Sequence, residues 1–274
     1  MPTLKSTADE IEYFVDGFGP PLVLVHGTGG NADANWGHLV PKLSEGRRVI
    51  RPNYSGSGAT QDDGAPLTLE KLAEQIVAIA DETESRTFDL VGFSLGAAVA
   101  TCIAAHYPAR VRRLILLAGF ASSQDPRLNL QFGLWRNLIA NDRRAAAELI
   151  ILTGFSPGWI SKQPHAELRE IVDQIVTGNR WEGMLRQVEL DLNLNAREYA
   201  TRIKCPTLAI GCTHDHMIAP VHSRELTRLI SGATYAELPR EDVQNTVGDA
   251  DLTTYVSPSE INETKPANST FRSA

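Results

Sequence analysis

The sequence predicts an α/β fold, a mostly parallel and doubly wound sheet interrupted by one helical insertion. Three observations carry this. Short apolar runs recur without polar alternation, as in strands covered on both faces. Longer segments with apolar residues at helical spacing lie between them, which gives the strand–helix alternation of βαβ units. One interval, between the fourth and fifth runs, holds about eighty residues with no strand-like run, far beyond an ordinary connection.

Taken in order, the apolar runs are Pro21 to His26, Arg48 to Pro52, Asp89 to Phe93, Arg113 to Phe120, Pro206 to Gly211 and Thr234 to Leu238. Helices are expected over Leu67 to Glu82, with Leu69, Leu72, Ile76 and Ile79 on one face. Another is expected over the Ala-rich Leu95 to Tyr107, which stops before Pro108, and a third over Val221 to Ile230, closed by Gly232. The long interval contains helical stretches at Leu128 to Ile139, Ala145 to Leu152, Ala166 to Ile175 and Trp181 to Leu192. Leu128, Phe132, Trp135, Phe155, Trp159, Trp181 and Met184 give it more apolar surface than two flanking helices need, so it reads as an inserted helical cap rather than extra core helices.

The expected organisation is a core domain over 1–122, a cap over 123–203, the core resumed over 204–256 and a disordered tail over 257–274. From Pro239 onward apolar residues thin out, and such composition buries too little surface to offset ordering. Sequons at Asn262 and Asn268 read as chance matches.

Hydrophobic residues make up 42% and charged residues 22%, enough for a sizeable core. A formal net charge of −7 argues against nucleic acid or an acidic membrane as partner. No run reaches the ~20 apolar residues of a membrane span. Met1 to Glu10 is polar, unlike a secretory signal. Cys102, Cys205 and Cys212 show no metal spacing, and a reducing, cytoplasmic setting is expected.

Gly92-Phe93-Ser94-Leu95-Gly96 is a G-x-S-x-G motif that follows an expected strand and opens an expected helix. That context makes it a nucleophile elbow: a sharp turn that only small flanking residues allow, lifting the Ser94 hydroxyl above the sheet at a helix N-terminus. His26-Gly27-Thr28-Gly29-Gly30 ends the first run, and its glycines let backbone N–H groups approach a bound oxygen. The N–H groups of Thr28 and Leu95 would form an oxyanion hole. A phosphate loop is the poorer reading, since neither G-x-G-x-x-G nor a Walker lysine is present. His26 is expected to bond the loop backbone. Asp62-Asp63 reads as a solvated loop rather than a metal site, and Arg143-Arg144 as an exposed helix face.

With these residues in view, the sequence resembles the α/β-hydrolase superfamily, in its cap-bearing esterase, lactonase and C–C hydrolase branch. The matching segments are VHGTGG at Val25 to Gly30, PNYSGSG at Pro52 to Gly58, GFSLG at Gly92 to Gly96, YPARV at Tyr107 to Val111, and PTLAIGCTHDHMIAP at Pro206 to Pro220. The resemblance implies an α/β-hydrolase fold, Asp215 as the acid of a triad, and Thr28 and Leu95 as oxyanion donors. Asn53 stands where the family usually has Asp, a structural position.

One departure concerns the chemistry. The family's histidine normally follows the last strand in a Gly-His step, where this chain reads Leu238-Pro-Arg-Glu-Asp-Val243, and no histidine occurs after His222. Three explanations stand open. His38, His214, His216 or His222 reaches Ser94, with Glu241 or Asp242 a weaker base. Alternatively the pocket serves a non-hydrolytic binder, cyclase or isomerase. Or the segment beyond Leu238 is an altered one. The expected function is hydrolysis of an ester, lactone or related acyl bond of a hydrophobic small molecule, without cofactor or metal; self-association into a homodimer stays open.

Overall fold

The computed structural model describes residues 3–5, 10–213 and 215–238. The chain opens with β1 (Thr3–Lys5), β2 (Glu10–Asp16) and β3 (Pro21–Val25), then α1 (Ala32–Trp36), a 3-10 turn over Gly37–Leu39, α2 (Val40–Leu43) and β4 (Arg48–Pro52). It continues through α3 (Leu69–Glu82), β5 (Phe88–Phe93), α4 (Leu95–His106) and β6 (Val111–Leu117). The interval that follows is helical: α5 (Pro126–Asn141), α6 (Arg143–Gly154), α7 (Pro157–Ile160), α8 (His165–Gly178), α9 (Trp181–Leu192) and α10 (Arg197–Arg202). The chain then returns through β7 (Thr207–Cys212), α11 (Pro220–Leu229) and β8 (Thr234–Leu238).

The eight-stranded sheet has the order β1-β2-β4-β3-β5-β6-β7-β8. From β4 to β8 all pairings are parallel, with Val23 opposite both Ile50 and Leu90, and Leu117 opposite Phe93 and Ile210. β1 and β2 add an antiparallel edge, Tyr13 lying opposite Pro52. These two strands precede the first one expected at Pro21. Glu10–Asp16 alternates charge with apolar side chains rather than running continuously apolar, because a strand at the antiparallel end of the sheet is not covered evenly on both faces.

Alternation along the strands divides the core. Val23, Val25, Leu90, Leu114 and Leu116 point to one face, under α3, α4 and α10. Leu22, Leu24, Val91, Ile115 and Leu117 point to the other, where Trp36, Leu39 and Leu43 cover them. Helix starts match their sequence signals. The Thr68 hydroxyl accepts from Lys71 N–H at the start of α3, and the Asp125 carboxylate accepts from Arg127 and Leu128 N–H ahead of Pro126 in α5. Ser156 and Pro157 do the same for α7. The apolar stripe of α3, Leu69, Leu72, Ile76 and Ile79, is buried as its spacing requires.

The chain winds from β3 to β4 in one direction and from β5 to β8 in the other. The carboxyl ends of β3 and β5, adjacent in the sheet, therefore form a topological switch point, where open α/β sheets bind ligands. At the opposite end of the sheet Arg47 and Asp89 form a buried ion pair, and Arg112 Nε donates to the same carboxylate at 3.2 Å. Removing one partner strands the other charge, so Asp89→Ala should lose about 3–5 kcal/mol of stability in urea unfolding. A loss within ~1 kcal/mol would mean the pair is solvated in solution.

Candidate active site

Ser94 sits at the step from β5 into α4, and its backbone is strained at φ 54°, ψ −119°. Hydrogen bonds hold it from both sides: Ser94 N–H donates to the Leu117 carbonyl at 3.0 Å, and Ala97 N–H donates to the Ser94 carbonyl at 2.9 Å. The flanking glycines let the elements close. A Cβ on Gly92 would overlap the Gly96 carbonyl, and one on Gly96 would overlap the carbonyls of Val25 and His26.

The loop after β3 presents its N–H groups selectively. Gly27 N–H donates to Asn35 Oδ1 at 2.9 Å, Gly29 N–H to Gln187 Oε1 at 2.8 Å, and Gly30 N–H to the Gly27 carbonyl at 3.1 Å. The Thr28 N–H makes no hydrogen bond among the described residues. Leu95 is the first residue of α4, so its N–H has no acceptor within the helix. Thr28 and Ser94 line one cavity of about 470 Å³ at the switch point, together with Asp215. His26 lies beneath the loop, wholly buried, with Nδ1 2.9 Å from the Gly27 carbonyl and its ring stacked on Tyr54 at 3.9 Å. Burial pulls its pKa down to about 4, so it is a neutral strut of the loop.

Asp215 follows β7. Its Oδ1 accepts from Met217 N–H at 2.7 Å and Ile218 N–H at 2.8 Å, while Oδ2 is buried and has no hydrogen-bond partner among the described residues. Burial pushes the carboxyl up to about 7, against the pull of those two N–H groups and of Arg127. An orphaned carboxylate oxygen beside a cavity suits a group that would accept a hydrogen bond from a ligand or a further side chain.

The candidate histidines are placed elsewhere. His38 and His216 are exposed, and neither lines the cavity. His222 is buried in α11, also off the cavity, and burial lowers its pKa although Asp125 and Glu225 oppose this. His214, Glu241 and Asp242 lie outside the described residues, as does the tail over 257–274. Among the described residues no cluster of His, Cys, Asp or Glu is arranged to hold a metal ion. No helix among them is long and apolar enough to cross a membrane.

The rest of the wall comes from both the core loops and the helical interval. Phe132, Trp135, Ile150, Ile171, Ile175 and Met184 form an apolar side, and Asn31, Asn35, Gln174 and Asn179 a polar rim. Two residues escaped the sequence reading. Gln187 and Asp191 are fully buried on α9, and the Thr28 hydroxyl donates to Asp191 Oδ2 at 2.6 Å. Burial pushes Asp191 up to about 8. The signal was available: both polar residues fall on the apolar face of an amphipathic helix, where an unpaired polar group would be costly. The reading of Asp62 as solvated is corrected. Its side chain is 3% exposed and takes Arg186 on both oxygens, at 2.9 and 3.1 Å, while Gly56 N–H donates to it. Asp63 does face solvent, paired with Lys71. Arg143 and Arg144 are exposed as expected, bonded to Glu182 and Asp173.

Residues 20–241 match the profile of the α/β hydrolase fold family. A pyrrolizixenacetamide deacetylase of Xenorhabdus hominickii is 52% identical over 238 residues, which cover 87% of this chain and 90% of the deacetylase. A 2-hydroxy-6-oxo-2,4-heptadienoate hydrolase of Pseudomonas putida is 42% identical over 110 residues, 39% of this chain and 40% of that enzyme. Among solved structures, the enol-lactonase of Burkholderia xenovorans LB400 superposes with a TM-score of 0.80 at 25% identity, covering 93% of this chain and 97% of the lactonase.

Two outcomes check this geometry. Gly96→Ala forces backbone apart at the elbow and should cost about 2 kcal/mol or more; a folded variant of unchanged thermal midpoint would contradict the contact. The pH dependence tests the buried carboxyls. Asp191 and Asp215 keep their protons in the folded state up to about 8 and about 7, whereas the unfolded chain releases them near ~4. The folded state binds more protons in that window, so stability falls as pH rises through it and levels off above. Asp191→Asn should therefore show a shallower fall in urea midpoint between about pH 5 and 8 than the parent protein. Parallel curves would place Asp191 in water.

Proposed function

Because the chain belongs to the α/β hydrolase fold family, we propose that it is a serine hydrolase in which Ser94 attacks an acyl carbon and the N–H groups of Thr28 and Leu95 hold the resulting oxyanion. The observation that carries this is the selective loop. With Gly27, Gly29 and Gly30 N–H all bonded within the protein, the Thr28 N–H is left for a ligand, in one cavity with the strained Ser94.

The insert acts as a cap. Its apolar wall suits a hydrophobic small molecule, and the polar rim of Asn31, Asn35 and Gln174 suits a substrate with one more polar end. Esters and lactones fit the chemistry. The 52% identical deacetylase adds an acetamide to the candidate bonds.

Attack of Ser94 Oγ on the acyl carbon forms a C–O bond, and the carbonyl electron pair moves to the oxygen held by the two N–H groups. Collapse of that adduct expels the alcohol or amine, and water then hydrolyses the acyl-serine. The serine proton must be taken up and returned to the leaving group. Asp215, which lines the same cavity, would orient a base. Among the described residues no histidine lines the cavity, and the sequence holds none after His222. An oxyanion hole and binding without a base leave roughly 10³-fold acceleration over water. The reading is therefore of a slow hydrolase that favours leaving groups needing no proton, such as phenolates, over alkoxides and amines.

A second reading rests on the same observation, that no histidine among the described residues lines the cavity: a ligand-binding protein, or a cyclase or isomerase, that uses only the pocket and the oxyanion hole.

Activated aryl esters and a fluorophosphonate probe, with Ser94→Ala beside the parent protein, decide between them. Stoichiometric labelling and turnover that vanish in Ser94→Ala support the hydrolase. Ligand-induced thermal stabilisation without labelling supports the binder. Added imidazole provides the proton carrier from solution, and Ser94-dependent turnover should rise on the order of 10-fold. No rise would mean that a base of the protein already serves Ser94.

A further inference from the structure

We propose that helix α9 is the positioning element of the oxyanion loop, with Gln187 and Asp191 as its positioning residues, so that the cap sets the aim of the Thr28 N–H as well as covering the substrate. This rests on the reading of Ser94 and Thr28 as catalytic.

Three residues on one face of α9, spaced by four, meet the two loops at the switch point. Gly183 lies against Gly56, and any Cβ there would overlap the Gly56 carbonyl oxygen. One turn on, Gln187 spans both loops: Oε1 accepts from Gly29 N–H at 2.8 Å and Nε2 donates to Ser57 Oγ at 2.8 Å. One turn further, Asp191 Oδ2 accepts from the Thr28 hydroxyl at 2.6 Å. Gln187 and Asp191 are both fully buried, so each bond forms away from competing water.

Both contacts lie on the Cα side of the peptide that carries the Thr28 N–H: one fixes the side chain of Thr28 and the other the N–H of the next residue. The Gly27 carbonyl of that same peptide is held from the other side by Gly30 N–H and His26 Nδ1, so the α9 contacts complete the restraint on the Thr28 N–H. Taking Gly29 N–H out of use has a second effect, because it prevents that group from competing for the oxyanion from a poorer position. An oxyanion donor stabilises charge only when it is held in place before the reaction. Neither side chain touches the reacting atoms, and both act through the loop.

The test compares Gln187→Leu and Asp191→Leu, which remove the bonds, with Gln187→Glu and Asp191→Asn, which keep an acceptor for Gly29 N–H and for the Thr28 hydroxyl. The probe is a fluorophosphonate. Its phosphoryl oxygen occupies the oxyanion position while Ser94 Oγ bonds to phosphorus, fluoride departs, and the serine proton passes to solvent. The Leu variants should label on the order of 10 to 100-fold more slowly, the acceptor-keeping variants within about 3-fold of the parent. For an activated ester, kcat should fall with KM unchanged. Amide hydrogen exchange over 26–31 should quicken in the Leu variants alone, with thermal midpoints recorded to show that each variant is folded. Unchanged labelling and unchanged loop exchange in both folded Leu variants would overturn the proposal. If the parent protein takes no label, the serine hydrolase reading falls, and loop exchange alone decides the positioning role: quickened exchange supports it, unchanged exchange overturns it.

Discussion

The crossing of β5 and α4 under the end of β3 is the constraint on which the site depends. Three backbones meet there at distances that no side chain could share, and Ser94 is the residue forced into an unfavourable conformation by that meeting. The strain persists because the sheet hydrogen bond to Leu117 and the first turn of α4 over-determine it. Once the crossing exists, much else follows. Ser94 lines the cavity beyond the carboxyl end of β5, and the loop after β3 passes beside it, with Gly27 against Ser94.

The interior behind the crossing is suited to it. α4 is almost wholly buried and built from Ala97, Ala98, Ala100 and Ala104 with few bulky side chains, which lets it lie close to the strands. Asn53 shows the same economy in the neighbouring turn. Its Oδ1 accepts from Ala32 N–H at 2.7 Å and its Nδ2 donates to Glu12 at 2.6 Å, so one side chain fastens the start of α1 to β2. An amide does both jobs here, whereas a carboxylate at that position would face the Glu12 carboxylate.

Most of the parallel sheet was legible in the sequence, because strands buried on both faces announce themselves as unbroken apolar runs, as at Leu22 to Val25 and Leu114 to Leu117. β2 was not, since Glu10, Glu12 and Asp16 dilute the signal on a strand that packs unevenly. Ser94 and its glycines were legible because steric demand at an elbow selects residue types that survive as a motif. The partners of the loop after β3 were not. Gln187 and Asp191 lie about 160 residues from Thr28 and Gly29 in the chain, and local periodicity shows only that polar groups sit on an apolar face, with nothing to say what satisfies them. Asp62 was misread for the same reason, its partner Arg186 being remote in sequence.

The contacts of α9 divide the inserted helices into two parts with different freedoms. Arg180 donates to backbone carbonyls of Ser57, Gly58 and Thr60, and Arg186 grips Asp62 and the Ala65 carbonyl, in addition to the three-residue stripe. Helices α5, α6 and α8 also line the cavity, and among the described residues they make no such hydrogen bonds to the β3 and β4 loops. The cavity lining drawn from 126–178 can then change by exchange of that segment alone, with the contacts of α9 to the β3 and β4 loops retained. A chimaera that swaps lids between relatives would be cut ahead of Arg180, inside the insertion, rather than at the ends of β6 and β7 where the topology suggests the seam.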